Sequence, residues 1–168
     1  DGDLMAQVNR FARMAVKLAA GQTFDVVHAH DWMTFPAGLA VAAASGKPLI
    51  VHIHSTEFDR SGEHINQSIY DIERLGMERA DRVVCVSYLT RKIAESRYAV
   101  PAEKISVIYN AVDLPEQSAE LLRPISHREK IVLFLGRLTM QKGPEYFLQA
   151  ARKVVDHYKG VRFVMAGS

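Results

Sequence analysis

The sequence predicts an α/β chain with parallel sheets, divided into two parts. Three observations carry that prediction. Short apolar runs rich in branched and aromatic side chains, such as 131–135, alternate with stretches of helical period. Each interval between successive runs is long enough to hold a helix, so the connections are right-handed crossovers and the strands parallel. Over 111–129 the alternation stops, and two prolines among scattered polar residues mark a connector.

The elements follow in order. Leu4, Val8, Phe11, Ala15 and Leu18 recur at alternating four- and three-residue steps, the spacing of an amphipathic helix, and Gly21 is its stop. Residues 24–30 read as a strand leading into Asp31 and Trp32. An alanine-rich helix over 36–45 ends at Gly46, and 48–54 is the next strand. One long helix is expected over 61–80, burying Ile65, Ile69, Ile72 and Leu75. Residues 82–87 are a third strand, 88–97 a helix and 105–109 a fourth strand.

Beyond the connector, 131–135 is a nearly all-apolar strand that suits burial on both faces. Pro144 opens a helix, because proline at the first helical position loses no hydrogen bond. Tyr146, Phe147, Ala150, Ala151, Val154 and Val155 repeat at helical spacing, and 161–165 is the last strand. Four parallel strands are therefore expected before the connector and two after it.

Composition excludes several classes. The chain has 168 residues, 48% apolar and 24% charged, as a soluble globular protein does. A net charge of +2 is too small to argue for nucleic acid. The single Cys85 lies in an apolar run and reads as a buried thiol, so there is no disulfide framework and a reducing, cytoplasmic setting is expected, at most peripheral to a membrane. No apolar run approaches membrane-spanning length.

Two places carry chemistry. The first is the strand, basic loop and helix start around Gly136, Arg137, Lys142 and Gly143. Helix N-termini present unpaired N–H groups, and two fixed cations reinforce them, so phosphate is the natural guest. Solvated surface charge is the plain alternative for Arg137 and Lys142. Neither a Walker pattern nor a G-x-G-x-x-G is present, so a P-loop and a dinucleotide fingerprint are unsupported.

The second place is the pair of strand ends bearing His28, His30, His52 and His54. Side chains alternate along a strand, so each pair shares a face; on neighbouring strands all four would gather with Asp31 at one carboxyl edge. Three readings stay open. Imidazoles with a carboxylate suit zinc, although no known zinc-motif spacing occurs. Structural histidines at strand ends are the plain reading. In a hydrogen-bonding substrate site, Asp31 would accept hydroxyl protons and a histidine would donate to an oxygen, an arrangement that suits sugars. Asn110, directly after a strand, is either a left-handed turn residue or a ligand contact. Glu57, Asp59 and Arg60 follow His54 in a loop that either lines the cleft or is solvated.

Taken together, the segments resemble the glycogen/starch synthase-like glycosyltransferases of family 4, whose fold is GT-B. The matching pieces are Phe24-Asp-Val-Val-His-Ala-His-Asp-Trp32, Val51-His-Ile-His54, Ala80-Asp-Arg-Val-Val-Cys-Val-Ser87, Val107-Ile-Tyr-Asn-Ala-Val-Asp113 and Phe134-Leu-Gly-Arg-Leu-Thr-Met-Gln-Lys-Gly143. Each is weak alone, but the five in register from about residue 24 onward are specific.

The resemblance implies parts of two Rossmann-like domains facing across a cleft. Residues 1–110 would be the later part of the acceptor-side domain, 111–129 the connector and 130–168 the opening βαβ of the nucleotide-sugar domain. Arg137 and Lys142, with Gly136, would hold the donor diphosphate and stabilise the leaving nucleoside diphosphate without a metal or other cofactor. His54 matches the histidine near the anomeric centre of the transferred sugar, and Asp31 the aspartate on the acceptor side. His30, Asn110 and Glu57 are further cleft candidates. The implied reaction is retaining transfer, through a short-lived oxocarbenium-like species, from a nucleotide sugar to a glucan, lipid or other sugar.

Departures from the family pattern accompany the match. The family's first strand with its glycine-rich loop, its E-x7-E glutamates and its nucleoside pocket have no counterpart here. The expectation is therefore a fragment, inactive by itself, whose uncovered apolar faces and strand edge favour a homodimer. The alternatives are a related GT-B epimerase or phosphorylase, a non-catalytic sugar- or phosphate-binding module and, more distantly, a zinc protein.

Overall fold

The computed structural model describes residues 3–113 and 130–168, and it divides into two compact units, Asp1–Ala111 and Val112–Ser168. Most of the expected connector lies outside the described residues. The first unit runs α1 (Leu4–Ala19), β1 (Val27–His30), α2 (Phe35–Ser45), β2 (Leu49–Ile53), α3 (Glu57–Ser61), α4 (Gln67–Arg79), β3 (Arg82–Cys85), α5 (Tyr88–Tyr98) and β4 (Ile105–Val107). The second holds β5 (Lys130–Leu135), α6 (Pro144–His157) and β6 (Val161–Ala166).

All strand pairs are parallel, as the crossover lengths require, in the order β1-β2-β3-β4 and β5-β6. A sheet that grows in one direction through right-handed crossovers receives its connecting helices on one face. The core shows this. Ala29, Leu49, Val51, Ile53, Val83, Cys85 and Ile105 share one sheet face and cluster with Phe35, Met77, Ala80, Ala94 and Tyr98 from the helices. His28, His30, Ile50 and His52 therefore occupy the opposite face. Cys85 is fully buried, and that burial pushes its thiol up to about 11.

Small residues bring α2 and α4 close to their neighbours. A side chain at Gly38 would meet Ala29 Cβ at 2.8 Å, and one at Gly76 would meet Phe35 Cδ2 at 2.4 Å.

The long helix expected over 61–80 is instead two helices. Gly62, at φ +59°, ends α3 in a conformation that favours glycine. Thr56 and Asp59 form a capping box at the start of α3: the Asp59 N–H donates to Thr56 Oγ1, and Thr56 N–H to Asp59 Oδ2. Asn66 Oδ1 caps α4 by accepting from the N–H groups of Ser68 and Ile69. The buried stripe of α4 is also displaced from the expected one. It comprises Glu73, Gly76 and Met77, continuing to Ala80, whereas Leu75 is 46% exposed.

In the second unit, α6 packs on the two strands through Phe134, Phe147 and Phe163. The expected burial of β5 on both faces is not met: Ile131, Leu133 and Leu135 are 45%, 55% and 78% exposed. Among the described residues one helix lies on the two strands, and it covers one face.

Gly76→Ala tests the α2–α4 contact. Overpacking against immobile Phe35 costs about 1–3 kcal/mol, against about 1 kcal/mol that alanine gains as a helix former. The expected result is a lower urea midpoint at unchanged slope; an unchanged midpoint would contradict the contact.

Candidate functional site

The carboxyl ends of β1 and β2 meet where the sequence placed its histidines. The ladder continues one residue past β1, with Asp31 N–H donating to His52 O at 2.9 Å. Asp31 then turns the chain at φ +57°, a left-handed conformation that aspartate tolerates better than most residues. Its carboxylate reaches across to the next loop, where Oδ1 accepts from the N–H of His54 at 2.8 Å and of Ser55 at 3.4 Å. Thr34 secures the same turn by donating its hydroxyl to His30 O at 2.6 Å. Buried Trp32 and Phe35 anchor the turn from the core side.

The imidazoles form a continuous stack. Ring centroids lie 4.3 Å apart for His28–His30, 5.4 Å for His28–His52, 4.5 Å for His52–His54 and 5.3 Å for His30–His54. His30 Nδ1 and His54 Nε2 are hydrogen-bonded at 3.0 Å, the donor depending on tautomer. Among the described residues neither ring nitrogen of His52 has a hydrogen-bond partner, and both are shut off from solvent. Burial, followed by the neighbouring imidazoles, lowers His52 to about 4; burial also lowers His28. Both rings are therefore neutral at neutral pH.

A buried network supports the loop that bears His54. Glu73, 2% exposed on α4, accepts from the Glu57 N–H at 3.0 Å, from Arg60 Nη2 at 2.5 Å and from the Tyr98 hydroxyl. Arg60 Nη1 in turn donates to Ser55 O at 2.8 Å. Burial pushes the Glu73 carboxyl up, against the opposing pull of these donors.

The structure redirects Glu57. It opens α3, is 3% exposed, and accepts from Ser61 Oγ, the Asn66 N–H and Arg60 Nε. It is neither a cleft contact nor a solvated loop residue. Burial alone would raise its carboxyl, but the Asn66 amide, Ser61 and Arg60 outweigh that and hold it below the usual range.

Asn110 is exposed after β4 but is not left-handed; among the described residues the positive-φ residues besides glycine are Asp31 and Ala99. Sequence reasoning missed Thr34, Glu73 and Tyr98. For Glu73 a signal existed, namely a carboxylate on the 70, 73, 77, 80 stripe of an otherwise apolar helix face.

In the second unit the strand, loop and helix assemble as expected. Gly136 N–H donates to Ala166 O at 3.0 Å and Leu138 N–H to Ser168 O at 3.2 Å, which fixes the start of the basic loop. A side chain at Gly167 would meet Gly136 O at 1.8 Å, so the strand ends touch backbone to backbone. Gly143, at φ +62°, precedes Pro144 at the start of α6, and no side chain caps that terminus. Arg137 and Lys142 are exposed, and among the described residues neither forms an ion pair.

The sequence profile of Glycosyltransferase Family 4 matches residues 4–116. The chain belongs to glycosyltransferase family 4. An uncharacterized glycosyltransferase of Methanocaldococcus jannaschii is 34% identical over 158 residues, 86% of this chain and 40% of the relative. The Escherichia coli UDP-Gal:alpha-D-GlcNAc-diphosphoundecaprenol alpha-1,3-galactosyltransferase is 30% identical over 152 residues, 84% of this chain and 39% of the relative. The family-4 chain thus spans about two-fifths of these relatives' length.

Among solved structures, sucrose-phosphate synthase from Thermosynechococcus elongatus has a TM-score of 0.63 at 15% identity, over 98% of this chain and 51% of that one. The S. aureus MnaA–UDP structure gives 0.61 at 20%, over 100% and 48%. The GT-B-type α/β fold expected from the resemblance holds. Among the described residues no helix is long and apolar enough to cross a membrane.

Two predictions follow from the histidine stack and the buried network. The folded pKa of His52 lies below its ordinary 6.5, so the unfolded chain binds more protons between 6.5 and about 4, and stability falls as pH drops through that window. With a chelator present, the thermal midpoint of the wild type should fall across this range more steeply than that of His52→Phe; equal slopes would assign the effect elsewhere. Glu73→Ala removes the acceptor of the Tyr98 hydroxyl and the Glu57 N–H and one of the two carboxylates that Arg60 binds, and is expected to cost about 1–3 kcal/mol in urea unfolding. Faster exchange of the Ser55 amide should accompany it, and an unchanged midpoint would remove the network from the account.

Proposed function

We propose that this family-4 chain carries part of the cleft of a retaining glycosyltransferase that moves a sugar from a nucleotide-sugar donor to a glucan, lipid or other sugar acceptor. Residues 1–110 belong to the acceptor-side domain, 111–129 to the connector and 130–168 to the donor-side domain. The observation that carries the reading is the clamp between Asp31 and the His54 amide, which holds a histidine and a carboxylate together at the edge where open parallel sheets bind ligands.

Each residue has a role in this reading. Arg137 and Lys142, exposed and without an ion pair among the described residues, hold the donor diphosphate at the start of α6 and stabilise it as it leaves, with Gly136 allowing close approach. The two cations supply the charge that a metal would otherwise bring, so transfer needs none. His54 faces the transferred sugar near its anomeric carbon, and His30 fixes the tautomer of His54 through their shared hydrogen bond. Asp31 acts partly by positioning: Oδ1 is committed to backbone amides, and Oδ2, without a hydrogen-bond partner among the described residues, is available to an acceptor hydroxyl. Asn110 is a secondary cleft contact. The epimerases among the solved neighbours lend no weight to that alternative, because likeness at 17% identity carries the fold alone.

Calorimetric titration with UDP and with ADP tests the donor side. Saturable binding of at least one is expected, weakened about a hundredfold or more in Arg137→Ala plus Lys142→Ala, since each charge-assisted hydrogen bond contributes roughly 1.5–3 kcal/mol. Both side chains are exposed, so the variant should fold as the wild type does. Equal affinity in wild type and double variant would refute the assignment.

A further inference from the structure

The solvent-excluded ring nitrogens of His52, without a hydrogen-bond partner among the described residues, are left unexplained by sugar transfer. Buried polar atoms in folded proteins have partners, and a ring with neither nitrogen satisfied calls for one. Its surroundings show which kind. His30 is the direct cross-strand neighbour of His52 in the β1–β2 register, and His28 stands two residues before His30 on the same sheet face. One nitrogen from each of the three rings lies within 4.8 Å of the others.

We infer that His28, His30 and His52 form a binding site for a divalent transition-metal ion of the zinc type. The donor set is all imidazole, which suits zinc, nickel or cobalt and not the oxygen-seeking magnesium or calcium. Zinc–nitrogen bonds are about 2.0–2.1 Å, so the three nitrogens must close in by small ring rotations. His28 and His30 are exposed and on a strand end, and can make them. Three protein ligands leave one position for water.

The ion bears on the transfer proposed above only through His30, which is hydrogen-bonded to His54. It clips the carboxyl end of β1 to that of β2 on the face opposite the helices. Because His30 is also hydrogen-bonded to His54, metal on one nitrogen of His30 fixes the proton on the other, as outer-sphere partners of metal-bound histidines do. The inference stands on the geometry of the stack, whether or not the chain transfers sugar.

The test is titration of the untagged, chelator-stripped chain with zinc and with magnesium, followed by calorimetry and thermal unfolding. One zinc per chain is expected, with a raised thermal midpoint and no response to magnesium. His28→Ala changes an exposed side chain and should fold normally, yet it should weaken zinc binding by about a hundredfold, at least what loss of an outer-sphere partner costs. His52→Gln should do the same, while His157→Ala, on α6, should bind as the wild type does. Absence of zinc binding, or binding unchanged in His28→Ala, would overturn the inference by showing no site or a site on other residues.

Discussion

The first unit depends on one buried carboxylate. Glu73 is placed on the inward face of α4, where an unpaired charge would cost several kcal/mol. It is tolerated because every neighbour donates to it: the first amide of α3, the guanidinium of Arg60 and the hydroxyl of Tyr98 at the end of α5. Three helices are thereby tied to one point. Arg60 extends the tie to the carbonyl of Ser55, one residue beyond His54. The core thus reaches the candidate site through hydrogen bonds whose geometry is set by the requirement that no buried charge go unmet.

The one-way strand order then decides which surface is available for chemistry. Since all connecting helices pack on the face of Val51, Ile53 and Val83, the opposite face keeps its polar side chains. Four imidazoles stand there in contact, and mutual repulsion of their charged forms, added to burial, keeps His28 and His52 neutral. Neutral rings accept hydrogen bonds and coordinate metals; charged ones do neither. Asp31 closes this edge at a backbone conformation few residues tolerate, binding amides of the neighbouring loop in return.

In the second unit the anion-ready features are backbone features. The ladder beyond β5 and β6, the close contact of Gly136 with Gly167, and the uncapped start of α6 present a loop whose cations have no internal partners among the described residues. In the function proposed above those cations are the diphosphate ligands. Among the described residues one helix lies on β5 and β6, and the apolar side chains Ile131, Leu133 and Leu135 stay exposed.

Much of this was legible in the sequence because it is periodic. Apolar runs and crossover lengths gave the parallel strands, and alternation along 24–30 and 48–54 gave a shared histidine face. Five motif segments identified the family. What the sequence did not reveal was phase and partnership. The break at Gly62 and the burial of Glu57 and Glu73 went unread because a capping box and a charged residue on a buried stripe look, in one dimension, like an ordinary solvated turn and helix. Asn110 looked like the left-handed residue, and Asp31 proved to be one. The sequence by itself determined the order, direction and chemistry of the elements, because these follow from local period and residue type. Only the tertiary structure decided which polar groups are buried and what each one holds, because that depends on contacts between residues distant along the chain, such as Glu73 with Tyr98 and Asp31 with His54.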